Sequence, residues 1–207
     1  MTSLTLKELK WTGLFALLYF LCVGLGVLEG HFFGNAGNML YAPVFAAVFG
    51  GSVYMCLQSK IKKFGAISLL GVVMGGFFLL SGHFMIAGLP GLVFGFLADT
   101  IAGLGKYENK FWNLLSFVCF SFVNSGPIIL MWLARQAYID SLVARGKTAE
   151  YINRILLPLD FPTIASFIVM VVAGALIGGL LGQYLVKKLI FSHKKVKRSE
   201  NCWIFLS

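Results

Sequence analysis

The sequence predicts an all-α membrane protein: six transmembrane helices in a single domain, with both termini on the cytoplasmic side (N-in/C-in). Six apolar stretches, near 11–28, 39–58, 64–82, 85–104, 111–133 and 162–186, each approach the ~20 residues a helix needs to cross the hydrocarbon core of a bilayer. Hydrophobic residues make up 58% of the 207-residue chain, charged residues only 12%, and mean hydropathy is +0.86. A soluble domain of this size has no way to bury that much apolar surface. The third observation is charge placement. Of the 17 basic residues, Lys7, Lys10, Lys60, Lys62, Lys63, Lys106, Lys110, Lys187, Lys188, Lys194, Lys195, Lys197 and Arg198 fall on one side when loops are assigned alternately. Only Arg135, Arg145, Lys147 and Arg154 fall on the other. The positive-inside rule makes the first side cytoplasmic, and an even number of spans puts both ends there.

Each element has its own signal. Thr5 to Lys10 is a short amphipathic lead-in, and Trp11 marks the inner interface. The first apolar stretch is full length and has no small-x-small cleavage site, so it reads as a retained span and not a signal peptide. Residues 29–38, rich in Gly and Asn, read as an irregular outer connection. Pro43 loosens the outer end of span two. Ser59 to Phe64 is a tight inner turn, and Ser81-Gly82-His83 an outer turn. Pro90 and Gly91 lie on the outer side of span four, and Asp99 near its inner end. There Asp99 either caps a helix end or pairs with Lys106 or Lys110. Span five carries Asn124-Ser125-Gly126-Pro127, which places Asn124 about 20 Å above an inner start at Phe111. Residues 134–160 form a long outer amphipathic segment that lies on the membrane or folds over the outer mouth. The domain is read as 1–190, followed by a basic cytoplasmic tail over 191–207 whose last residues, from Ser199, look disordered. The Lys194–Arg198 run reads as an anchor on anionic lipid, not as a nucleic-acid site.

The 24 glycines are patterned. Gly71 and Gly75, Gly91 and Gly95, and Gly174, Gly178 and Gly182 recur every four residues. Such spacing flattens one helix face so that another backbone can approach closely. The approaching backbone is either a neighbouring helix of the same bundle or another subunit.

Chemistry-bearing motifs of enzymes are missing. There is no HExxH, no GxSxG, no Walker A and no paired intramembrane aspartate. The chain therefore reads as a non-enzyme with no cofactor, and if it drives transport another chain supplies the energy. Cys22, Cys56, Cys119 and Cys202 form no CxxC pair, and no metal-ligand spacing is present. The polar inventory is nevertheless one-sided. Glu29, His31, Asn35, Asn38, His83, Asn124, Trp132 and Tyr138 fall in the outer half, beside Pro43, Pro90 and Pro127. Irregular backbone at membrane depth is tolerated where it lines an enclosed cavity, and a small-molecule site is apolar with a few orienting polar groups. These residues therefore predict an outward-facing substrate pocket.

The lead-in Leu4-Thr5-Leu6-Lys7-Glu8-Leu9-Lys10, the stretch from Thr12 to Phe20, the Lys63-Phe64-Gly65 turn and the Gly88-to-Gly105 segment with Leu97-Ala98-Asp99 give the chain a relative. It resembles the Trep_Strep family of substrate-binding S components of energy-coupling factor (ECF) transporters, over most of 4–190. The resemblance implies an S-component-like bundle in a bacterial plasma membrane. Such a subunit captures a vitamin-like micronutrient or precursor from outside. It topples to release it inward against a T component driven by two ATPase subunits. It also implies subunit docking through a small-residue face of span one, here Gly13 and Ala16, with the glycine faces of spans three and six (Gly71, Gly75, Gly174, Gly178) sharing the role. Two alternatives stand beside this reading: uptake of haem or a transition metal through His31, His83, Met39 and Met85, and a non-transport membrane scaffold.

Overall fold

The computed structural model describes residues 4–32, 34–80 and 85–204, with backbone only for residues 31, 34–38, 85–86 and 190–204. Among these residues the fold is wholly helical. In chain order the elements are α1 (Leu6–His31), α2 (Gly34–Lys60), α3 (Ala66–Leu80), a 3-10 turn (Met85–Gly88), α4 (Leu89–Leu104), α5 (Lys110–Ser121), a second 3-10 turn (Phe122–Ser125), α6 (Gly126–Leu133), α7 (Arg135–Ala144), α8 (Ala149–Ile155) and α9 (Phe161–Ile204). Among the described residues, four stretches are long and apolar enough to cross a membrane: Leu6–Gly30, Met39–Lys60, Lys110–Leu133 and Phe161–Leu189. Ala66–Leu80 and Leu89–Leu104 are apolar but shorter.

Local chemistry sets the ends. Thr5 and Glu8 form a capping box, the Thr5 Oγ1 accepting from the Glu8 N–H and the Glu8 carboxylate from the Thr5 N–H at 2.8 Å. Glu8 also pairs with Lys63 at 2.8 Å, which ties the start of α1 to the α2–α3 turn. The Asn109 side chain caps α5 by accepting from the Phe111 and Trp112 N–H groups. Pro127 interrupts the long helix that α5 begins, and the chain passes through the 3-10 turn before continuing as α6.

Two expectations need correction. Residues 29–38 are not an irregular loop: α1 runs to His31 and α2 starts at Gly34. Glycine costs a helix only ~1 kcal/mol per position, less than a backbone group left without a partner in an apolar medium. The far end is the second correction. Helix α9 continues past Ser199 to Ile204, since no Gly or Pro after Gly182 breaks it.

Helices α2 and α9, α1 and α2, and α3 and α4 make the main contacts. Glycines set the closest of them. A Cβ placed on Gly178 would lie 2.2 Å from the Ala47 carbonyl oxygen, and one on Gly174 2.8 Å from that of Val44. Gly71 and Gly75 likewise abut Gly91, Gly95 and Gly88 of the α4 region. Four of the six residues expected to dock a subunit, Gly71, Gly75, Gly174 and Gly178, are thus covered within the chain. Ala16 is buried too, and only Gly13 is exposed, with nothing within 4 Å of its Cβ position.

Asp99 is fully buried and makes no ion pair with Lys106 or Lys110. Its Oδ2 accepts from the N–H of Gly65 and Ser68 and from the Ser68 hydroxyl at 2.8–2.9 Å. Its Oδ1 accepts from the Tyr107 hydroxyl at 2.8 Å. A carboxylate on α4 therefore caps the start of α3, whose own sequence supplies no acidic residue in its first turn. Tyr107 reaches it from a left-handed backbone, φ +58°.

Candidate functional site

The helix break in the fifth apolar stretch opens space. Around it, near the α6–α8 end of the bundle, the chain forms a half-open cavity of about 350 Å³. Val23 and Val27 of α1, Pro43 and Ala46 of α2, Phe77 and Phe78 of α3 and Ile128 of α6 line it. Helices α7 and α8 add Tyr138, Leu142, Tyr151 and Ile155. These cap helices are held by a second apolar cluster in which Tyr138, Leu142, Ile152 and Ile155 pack with Ile128, Leu130, Met131, Phe167 and Val171.

Asn124 sits in the 3-10 turn and is 7% exposed. Its Nδ2 donates to the Tyr19 hydroxyl at 3.4 Å, while its Oδ1 is buried with no hydrogen-bond partner among the described residues. It does not cap the broken helix. The neighbouring serine hydroxyls turn back on the chain, Ser121 donating to the Phe117 carbonyl four residues earlier and Ser125 to that of Phe122 three residues earlier. Asn124 therefore lines the cavity and carries an acceptor that no group among the described residues uses.

Beyond Asn124 the bundle is closed. The Tyr19 and Phe120 rings meet edge to face at 5.3 Å, and Tyr54 packs on Phe117 and Phe120 at 4.9 Å. Tyr54 donates to Ser116 at 2.6 Å, and Ser116 donates to the Ala98 carbonyl at 2.6 Å, which joins α2, α4 and α5.

The turn between α7 and α8 presents Arg145 and Lys147 to the cavity mouth. Gly146 between them has φ +73°, a left-handed conformation that glycine adopts without strain. The Arg145 Nε donates to the Ser141 carbonyl at 3.1 Å, and the Lys147 Nζ lies 5.0 Å from the Tyr151 ring centroid. Neither cation forms an ion pair among the described residues. Burial pushes the Tyr138 hydroxyl up to about 12, against the opposing pull of Arg145, so it stays a neutral donor.

Of the eight substrate-site residues expected from the sequence, Asn124 and Tyr138 line this cavity. Glu29 is exposed on α1 and does not line it. Trp132 packs edge to face on Phe167 at 5.8 Å within the second apolar cluster. His31, Asn35 and Asn38 lie on α1 and α2, but their side chains are outside the described residues, as is His83 altogether. Sequence reasoning missed Arg145, Lys147, Tyr151, Phe77 and Phe78. The Arg145-Gly146-Lys147 signal was readable as a glycine turn flanked by cations; the Phe positions look like any lipid-facing pair.

The opposite end is chemically different. Lys62, Lys110, Lys187 and Glu108 line a second cavity of about 430 Å³. Lys62 pairs with Glu108 at 2.7 Å and holds its carboxyl below the usual range.

A long-helix bundle with an apolar outer surface, closed by tight backbone crossings, defines an integral membrane protein. The chain belongs to the Trep_Strep family, described as a hypothetical bacterial integral membrane protein, whose family model matches residues 6–190. Neither comparison with curated proteins nor comparison with solved structures gives a match.

Proposed function

We propose that this chain is the substrate-binding S component of an ECF-type ABC importer, taking a vitamin-like micronutrient or precursor from outside and releasing it inward. In this reading α3 and α4 complete six spans, both termini are cytoplasmic, and the α7–α8 end faces out. The observation that carries it is the cavity of about 350 Å³, half-roofed by two short helices and sealed below Asn124 by packed aromatic rings. A scaffold needs no such chamber. The lysine-lined end, which holds the turn next to the start of α1, fits a cytoplasmic face by the positive-inside rule. With no nucleotide-binding motif in the chain, energy comes from a T component and two ATPases. The exposed side of α1, with Gly13, Leu14, Leu17 and Leu21, offers the T component a face that the chain's own packing does not use.

Two measurements test this. Gentle detergent extraction of the tagged chain from its bacterium should co-purify one membrane subunit and two ATPases. Isolation as a lone species under every mild condition would count against an importer subunit. Reporter fusions at Ser199 and within 145–148 should read opposite sides of the membrane, cytoplasmic for Ser199. Same-side readings would remove the six-span arrangement.

A further inference from the structure

We infer that the ligand of this cavity is an organic anion: an apolar, ring-sized body bearing a carboxylate or similar group at one end and an N–H or O–H donor at the other. The inference rests on the binding-subunit reading above and names the substrate class of that same site. Three features converge. No acidic side chain among the described residues lines the cavity, while Arg145 and Lys147 both do. The acids nearest them in sequence are engaged elsewhere, Asp140 accepting from Gln136 at 2.9 Å and Glu150 pairing with Arg154 at 2.6 Å. The Arg145 Nε donates to the Ser141 carbonyl. The rest of its guanidinium has no hydrogen bond among the described residues, which leaves the fork that suits a carboxylate.

At the deep end, the Asn124 Oδ1 is an acceptor that burial has cut off from water. An amide oxygen can only accept, so its complement on the ligand is a donor. Between the two ends the lining is apolar, with Val23, Val27, Phe77, Phe78 and Ile128. Those walls reward a ring system and reject a freely hydrated ion. A cationic or wholly neutral cargo would meet two like or idle charges at the mouth. Position along the cavity therefore assigns one chemical group to each end of the molecule.

Indole-3-butyrate has this layout and serves as the probe, with three controls: indole-3-butyramide, 1-methylindole-3-butyrate and tryptamine. Binding is measured by titration calorimetry on the full chain in neutral-lipid nanodiscs, with empty nanodiscs as blank. Indole-3-butyrate should bind about tenfold more tightly than its amide and than its N-methyl form, and tryptamine least, each gap reflecting one buried or half-buried hydrogen bond. The double variant Arg145→Gln, Lys147→Gln should bring the carboxylate to the affinity of the amide, while Arg145→Lys keeps most of the preference. Asn124→Leu should erase the N-methyl gap and leave the carboxylate gap in place. Equal binding of acid and amide, tighter binding of tryptamine, a preference that survives the double variant, or no binding of any probe up to millimolar concentration each overturns the inference. The assay uses no partner subunit. A chain that prefers anions but never co-purifies with ATPases would keep this inference and sink the transport reading, and the converse result would do the reverse.

Discussion

Gly178→Val should be among the most damaging single substitutions in the membrane-embedded bundle. The new Cβ would meet the Ala47 carbonyl oxygen at 2.2 Å, the Val48 carbonyl oxygen at 2.6 Å and the Val48 Cα at 2.9 Å. All three are backbone atoms of α2, so no side chain can rotate aside, and α9 must retreat from α2. Gly51 and Gly182 sit in the same crossing: a Cβ on Gly51 would lie 2.2 Å from the Gly178 carbonyl, and one on Gly182 2.5 Å from the Gly51 carbonyl oxygen. Overpacking on this scale costs about 3 kcal/mol or more. The expected result is a large fall in melting temperature, or loss of the monodisperse peak in size-exclusion chromatography. Gly13→Val is the matched control. Nothing lies within 4 Å of its Cβ position, and valine is no worse a helix former than glycine, so stability should hold. Equal melting of the two variants would mean that the α2–α9 crossing is looser than described. If the T component docks on α1, Gly13→Val should instead weaken assembly with the importer, a separate readout from stability.

Asp99→Ala comes next in expected size. It removes the acceptor for the N–H groups of Gly65 and Ser68, the Ser68 hydroxyl and the Tyr107 hydroxyl at once. An orphaned buried donor, here the Tyr107 hydroxyl, costs about 1–3 kcal/mol, and the half-buried Gly65 and Ser68 groups cost less because water or a neighbour can substitute. The net loss should be about 3 kcal/mol or more. Asp99→Asn keeps an oxygen for the α3 end and gives up the charge assistance, so it should cost about 1–2 kcal/mol. Tyr107→Phe removes one hydrogen bond and should cost about 1 kcal/mol. Thermal denaturation of the three variants should therefore rank Asp99→Ala below Asp99→Asn below Tyr107→Phe. A wild-type melting curve for Asp99→Ala would exclude the capping role.

The cavity at the broken helix shows how far composition and spacing reach. Pro127 made a break in the fifth apolar stretch legible, because proline removes a donor and clashes with the preceding turn; Asn124 beside it then stood out as a polar residue at depth. What the sequence could not show was which groups around the break were already satisfied. Ser121 and Ser125 turn their hydroxyls back on the Phe117 and Phe122 carbonyls, while the Asn124 Oδ1 has no partner among the described residues. Trp132, two turns on, points its ring at Phe167 instead. Glu29 shared the same side of the chain and still lies outside the lining, because helical phase, not depth, decides which way a side chain faces.

The sequence by itself determined the helical membrane character, the break at Pro127 in the fifth apolar stretch, and the four-residue glycine spacing, since these follow from local rules of hydropathy, proline chemistry and backbone geometry. Only the tertiary structure decided what the glycine faces touch. Gly71 and Gly75 pack on α4, and Gly174 and Gly178 on α2, so these four positions are spent inside the chain and Gly13 alone of the six stays open. The assignment of Asp99 to the α3 start, and of Arg145 and Lys147 to the mouth of the cavity, belongs to the same level. A hydrogen bond across 31 residues, or a cation brought over a chamber by a glycine turn, depends on how helices are juxtaposed, and no local pattern in the chain records that.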